Sequence, residues 1–163
     1  WETANEMPWD VLLLFGGGLS LSAMFTATGL SLWIGEKAKG LASLPMFLLI
    51  LAVAALVLLL TELTSNTATA ATFLPIMGGV AVGIGLTDAT EMNVMLLAIP
   101  VALAATCAFM LPVATPPNAI AYSSGYVTMG EMIKGGVWLN AIALVLISLA
   151  TYFIAVPVFG LVL

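Results

Sequence analysis

Residues 94–111 are almost wholly apolar and run directly into Pro112-Val113-Ala114-Thr115-Pro116-Pro117-Asn118. Each proline removes an N–H donor and collides with the preceding turn, so three of them within six positions end any helix entering this segment. The piece that follows, residues 119–126, is too short to cross about 30 Å of hydrocarbon by itself. A single broken helix over 94–126, interrupted at 112–118, therefore fits the chain length better than two full spans.

Composition decides where such a break would lie. The chain has 163 residues, 63% hydrophobic and 7% charged, with mean hydropathy +1.22. A typical soluble domain carries about a quarter charged residues, so this chain belongs in a lipid bilayer. At about 20 residues per helix it holds roughly four to six membrane segments, few for a complete carrier. It opens at Trp1 with no initiator Met or signal peptide, which suggests that an N-terminal portion is absent. Three Lys, eight acidic residues and a net charge of -5 leave no basic stripe for phosphates, which argues against nucleic-acid binding. The lone Cys107 supports neither an intrachain disulfide nor a Cys/His metal site, and the absence of His excludes a histidine proton relay from this chain.

Along the chain, residues 1–10 form a polar entry with Trp1 and Trp9 at headgroup depth. Residues 11–34 read as a bent, glycine-containing membrane helix around Gly16-Gly17-Gly18. Glu36, Lys37 and Lys39 mark a return to water, and 44–60 re-enter the apolar phase. Then comes Thr61-Glu62-Leu63-Thr64-Ser65-Asn66-Thr67-Ala68-Thr69, followed at once by a second apolar stretch, 70–86, with four glycines and Pro75. Two readings fit: a loop at the far surface, or the tip of a re-entrant hairpin lining a water-accessible cavity. From composition alone the surface loop is the commoner solution. Asp88 and Glu91 mark a solvated loop, Glu131 and Lys134 an interfacial segment, and 137–163 a final span.

Both breaks carry helix-start residues. Ser65, Asn66 or Thr67 can cap a helix beginning near residue 66, and Thr115 can cap one with Pro116 at its first position. A half-helix that begins at membrane depth offers unpaired N–H groups to an anion, and one that ends there offers carbonyls to a cation. No Lys or Arg lies within a predicted span, so an anion here would rely on hydroxyls, amides, helix N-termini and a co-bound cation. Sodium, a hard cation suited to oxygen ligands, fits that set. Glu62 and Glu91 are alternative proton carriers, Glu62 pointing into an aqueous cavity from the hairpin tip. Simpler roles stand beside these: Thr61, Thr64, Thr69 and Thr72 can bond back to their own helices, and Asn66 can serve as a cap.

The 61–70 segment, followed by Phe109-Met110-Leu111-Pro112-Val113-Ala114-Thr115-Pro116-Pro117-Asn118-Ala119-Ile120, resembles the divalent anion/sodium symporter family. Phe15-Gly16-Gly17-Gly18 and Gly135-Gly136-Val137-Trp138-Leu139-Asn140 extend the likeness over most of the chain. The resemblance implies an all-α integral membrane fold: one inverted repeat, with a re-entrant hairpin at 44–86 tipped near 61–69 and a discontinuous transmembrane helix opposite. With one Ser-Asn-Thr and one Pro-Pro-Asn, the chain reads as the C-terminal half only, its partner the missing N-terminal repeat.

Carried over by position, Ser65, Asn66, Thr67 and Pro117 are substrate contacts. Thr61, Thr64, Asn66, Thr115 and Asn118 are sodium ligands, some through backbone carbonyls. The resemblance further implies a transporter and not an enzyme, a succinate, malate or fumarate type of dicarboxylate as substrate, a homodimer, and a multi-pass location in the plasma (inner) membrane. Sulfate, citrate or another oxyanion on the same fold, and a non-transporting membrane subunit, are the alternatives. Thr106 and Ala121 stand where the family pattern commonly has Ser and Val.

Overall fold

The computed structural model describes residues 43–86 and 91–163, with scattered positions and short runs from Trp9 to Trp33; Glu91 and Met92 are described by backbone alone. Most of the expected 11–34 helix, the charged return at 36–39 and the loop around Asp88 lie outside the described residues. All regular structure among the described residues is helical, as the composition implied.

Helix α1, Met46–Thr61, follows Pro45, whose missing N–H costs nothing before a helix start. Its sequence is apolar all round, the pattern of a helix enclosed by others, and Leu49, Ile50, Val53, Ala54, Val57 and Leu58 are buried. It stops at Thr61, and after a short turn Ser65 starts α2, Asn66–Gly83, by accepting a hydrogen bond from the Ala68 N–H at 3.1 Å. Helix α2 carries Pro75 inside it and closes where Gly85 takes a positive φ of 81° and the Leu86 N–H bonds the Ala81 carbonyl.

A short 3₁₀ turn, Glu91–Val94, leads into α3, Met95–Ala104. The chain is then non-helical until α4, Pro116–Ser123, which has Pro at its start and Thr115 as N-cap. Helix α5, Met129–Ala150, begins ahead of the apolar run. There Thr128 and Glu131 form a reciprocal capping box. A π-helical turn, Thr151–Ala155, and a short α6, Val156–Phe159, end at Gly160 with φ 63°. The Val162 N–H then donates to Asn93 Oδ1 at 2.9 Å, tying the end of this helical run to the start of α3.

The core lies where α1 packs on α3 and α5 and α2 packs on α3. Leu49, Val57, Val80, Leu97, Val101 and Ile147 meet there. The run Met129–Phe159 is long and apolar enough to cross a membrane, and only 22% of its most apolar window is buried. Trp138, Ile142, Val145, Leu146 and Phe153 face outward from it. Helices α1 and α3 are shorter, with 16 and 10 residues. At 1.5 Å per residue they extend about 24 and 15 Å, short of a bilayer's hydrocarbon thickness.

Candidate functional site

The functional geometry centres on residues 105–115. The non-helical stretch begins at Ala105, upstream of the first proline in the cluster. In a continuing helix the N–H groups of Phe109, Met110 and Leu111 would bond the carbonyls of Ala105, Thr106 and Cys107. They bond Glu62 instead. Glu62 Oε1 accepts from Phe109 N at 2.8 Å and Met110 N at 3.1 Å, and Oε2 accepts from Met110 N at 3.0 Å and Leu111 N at 3.2 Å. Asn140 Nδ2, from α5, donates to the same Oε1 at 2.6 Å. Glu62 is 2% exposed, so the expectation that it points into an aqueous cavity is corrected: its carboxyl faces the backbone of the break.

The carbonyls released by this exchange meet the turn between α1 and α2. Thr61 Oγ1 lies 2.8 Å from Asn66 Oδ1 and 2.8 Å from the Ala105 carbonyl oxygen. Asn66 Nδ2 donates to the Thr106 carbonyl at 3.4 Å. The Thr61 hydroxyl has one proton for two acceptors, so three oxygens converge with a single hydrogen among them. They sit at the C-terminal end of α3, where the helix dipole is negative. Electron-rich oxygens at such a point favour a cation.

Thr115 and Asn118 act on the same stretch from its other end. Thr115 Oγ1 caps α4 by accepting from Asn118 N at 3.4 Å. Asn118 Nδ2 donates to the carbonyls of Ala108 at 2.9 Å and Leu111 at 3.1 Å. Of the residues anticipated as cation ligands, Thr61 and Asn66 are therefore in direct contact, and Asn118 grips the stretch that they face. The Thr64 hydroxyl bonds back to Leu60 O at 3.0 Å and shares a hydrogen bond with Thr69. Ser65, Asn66 and Thr67 occupy the start of α2, and Pro117 the exposed first turn of α4.

Reasoning from residue types missed four participants. The Ala105 and Thr106 carbonyls carry no side-chain signal. Gly136 and Asn140 had one: a polar residue inside an apolar span, four positions after a glycine and so on the same helix face. A Cβ on Gly136 would lie 2.6 Å from both Met110 Cα and Phe109 O, so only glycine lets α5 approach the break. Among the described residues no cluster of His, Cys, Asp and Glu could hold a metal.

A family model described as the sodium:sulfate symporter transmembrane region matches residues 1–160. The chain belongs to the sodium:sulfate symporter family. As a member of that family of transporters it is an integral membrane protein. It is 43% identical over 161 residues to a sodium-dependent dicarboxylate transporter, SdcS, of Staphylococcus saprophyticus. It is 44% identical over 161 residues to the transporter of the same name from Staphylococcus aureus strain MRSA252. In both cases the match covers 99% of this chain and 30% of the relative, so the chain spans under a third of these symporters' length.

Proposed function

We propose that this chain supplies part of the binding machinery of a sodium-coupled symporter for small dicarboxylates of the succinate, malate or fumarate type, working by alternating access. The observation that carries the reading is the convergence of Thr61 Oγ1, Asn66 Oδ1 and the Ala105 carbonyl around one proton. Sodium, as a transported ion, replaces that proton's role by accepting all three oxygens as ligands, with Thr64, Thr115 and Asn118 completing or bracing the set. The dicarboxylate is held by Ser65, Asn66, Thr67 and Pro117 at the N-terminal ends of α2 and α4, where the positive dipole ends, together with first-turn N–H groups of α2, offset its charge; the prolines that open α4 supply no N–H. Because no Lys or Arg is available in these segments, the bound sodium supplies the cationic charge the substrate needs.

In this reading α1 and α2 form a re-entrant hairpin with its tip at 61–69, α3 and α4 form one discontinuous helix, and the missing N-terminal repeat contributes the remaining ligands. The shortness of α1 supports the hairpin over a pair of full spans. The complete symporter is a homodimer of the plasma membrane. The names of the two staphylococcal relatives favour dicarboxylates. The family's description favours sulfate as the second reading.

The test is uptake by the complete protein in proteoliposomes under an inward sodium gradient. Succinate should accumulate, and Asn66→Ala and Asn118→Ala should each reduce uptake by at least about tenfold, as expected for loss of hydrogen bonds to charged groups. Unchanged sodium-driven uptake in both variants would remove the site assignment. Competition by sulfate but not by malate or fumarate would move the substrate to the second reading.

A further inference from the structure

We propose that Glu62 is a positioning residue that creates the carbonyl side of the cation site, and that Gly136 and Asn140 on α5 hold it in place. This rests on the reading that Thr61, Asn66 and Ala105 bind sodium. Glu62 takes the three N–H groups that a continuing helix would direct at residues 105–107, and the Ala105 and Thr106 carbonyls thereby become available to Thr61 and Asn66. Neighbouring residues thus divide two tasks. Thr61 offers an oxygen to the ion, and Glu62 keeps the opposing backbone out of helical pairing.

Helix α5 sets the geometry of this exchange. Gly136 brings it into backbone contact with Phe109 and Met110, and Asn140, 6% exposed, supplies the fourth donor to Glu62. Four positions apart, the two lie on one face of the helix. Among the described hydrogen bonds, Asn140 reaches Glu62 and no member of the oxygen cluster, so any effect of residue 140 on sodium must act through position. A glutamine at 62 would turn an amide N–H₂ toward at least one backbone donor, leaving that pair unsatisfied.

The experiment uses the complete symporter in detergent with Cys107 as its sole cysteine. Cys107 is half-buried within the break, next to Thr106. Its alkylation by N-ethylmaleimide is followed against sodium concentration, with choline keeping ionic strength constant. Sodium should slow the reaction in the parent protein. Asn140→Ala, which leaves the three backbone N–H partners of Glu62 intact, and Gly136→Ala should each raise the sodium needed for half-protection by about tenfold. Glu62→Gln should raise it at least as far, and Glu62→Gln combined with Asn140→Ala no further than Glu62→Gln alone.

Parent-like protection in both Asn140→Ala and Gly136→Ala would overturn the proposal, since a Glu62 that merely touched the ion would need neither. Absence of sodium protection in the parent protein would instead count against the sodium reading. The clamp is then judged on sodium-free alkylation, which should be several-fold faster in Asn140→Ala and Gly136→Ala, and equal rates would overturn it.

Discussion

Thr61 shows how one contact sets a proposed ligand apart from a structural hydroxyl. Hydroxyl side chains in apolar helices commonly bond the carbonyl four residues back, as Thr69 and Ser148 do. Thr61 reaches across to Ala105, 44 positions away, and Asn66. We expect Thr61→Val, which keeps the shape and removes the oxygen, to raise the sodium concentration for half-maximal succinate uptake by about tenfold, while Thr61→Ser stays near the parent value. Thr106, where the chain departs from the family's usual Ser, should tolerate the exchange. Its carbonyl faces Asn66 and its hydroxyl bonds Leu103 O at 2.7 Å, and serine provides both, so the sodium dependence of Thr106→Ser should match the parent. At this scale residue type pointed to Thr61, Asn66, Thr115 and Asn118 but passed over Asn140. It was silent on the carbonyls, because any residue brings one and only the fold decides which are left free.

The helices divide into those whose ends are written locally and those whose ends depend on distant contacts. Ser65, Thr115 and Thr128 all cap by accepting a backbone N–H three residues on; the first two starts were legible in the sequence, whereas α5 begins well ahead of the expected 137. The end of α3 could not. Prolines place the break at 112–118, yet α3 stops at Ala104, where the Thr106 and Cys107 N–H groups tighten onto the Leu103 and Ala104 carbonyls and the next N–H groups, at 109–111, turn to Glu62 on another element. Capping and site geometry should therefore separate experimentally. Thr128→Ala removes the hydroxyl side of the Thr128–Glu131 capping box, leaving the backbone N–H of residue 128 on Glu131, and should destabilise α5 by about 1 kcal/mol, seen as a lower Tm of the purified symporter. Its sodium dependence should remain that of the parent, because the box lies outside the residues that face the break.

At the scale of the molecule, the apolar runs and the family resemblance anticipated the helices seen among the described residues, whereas the packing partners were not legible. Apolar helices with little amphipathic contrast, such as α1, give no indication of which face meets which neighbour. Leu97 illustrates the consequence: fully buried among α1, α2 and α3 residues, it anchors the helix that presents Ala105. Leu97→Ala should cost about 2–5 kcal/mol of stability, measured as a fall in thermal unfolding temperature, with expression falling in parallel. The contact of Gly136 with the break has an electrical consequence. It lies two turns into the run Met129–Phe159, about 10 Å from the first end and about 35 Å from the second at 1.5 Å per residue. In the proposed reading an ion held beside the break lies, measured along this helix, nearer the Met129 end than the Phe159 end. A full crossing is worth about 2.3 kcal/mol per elementary charge at 100 mV, so on this reading sodium movement between the site and the Met129 side should respond less to voltage than movement toward the Phe159 side.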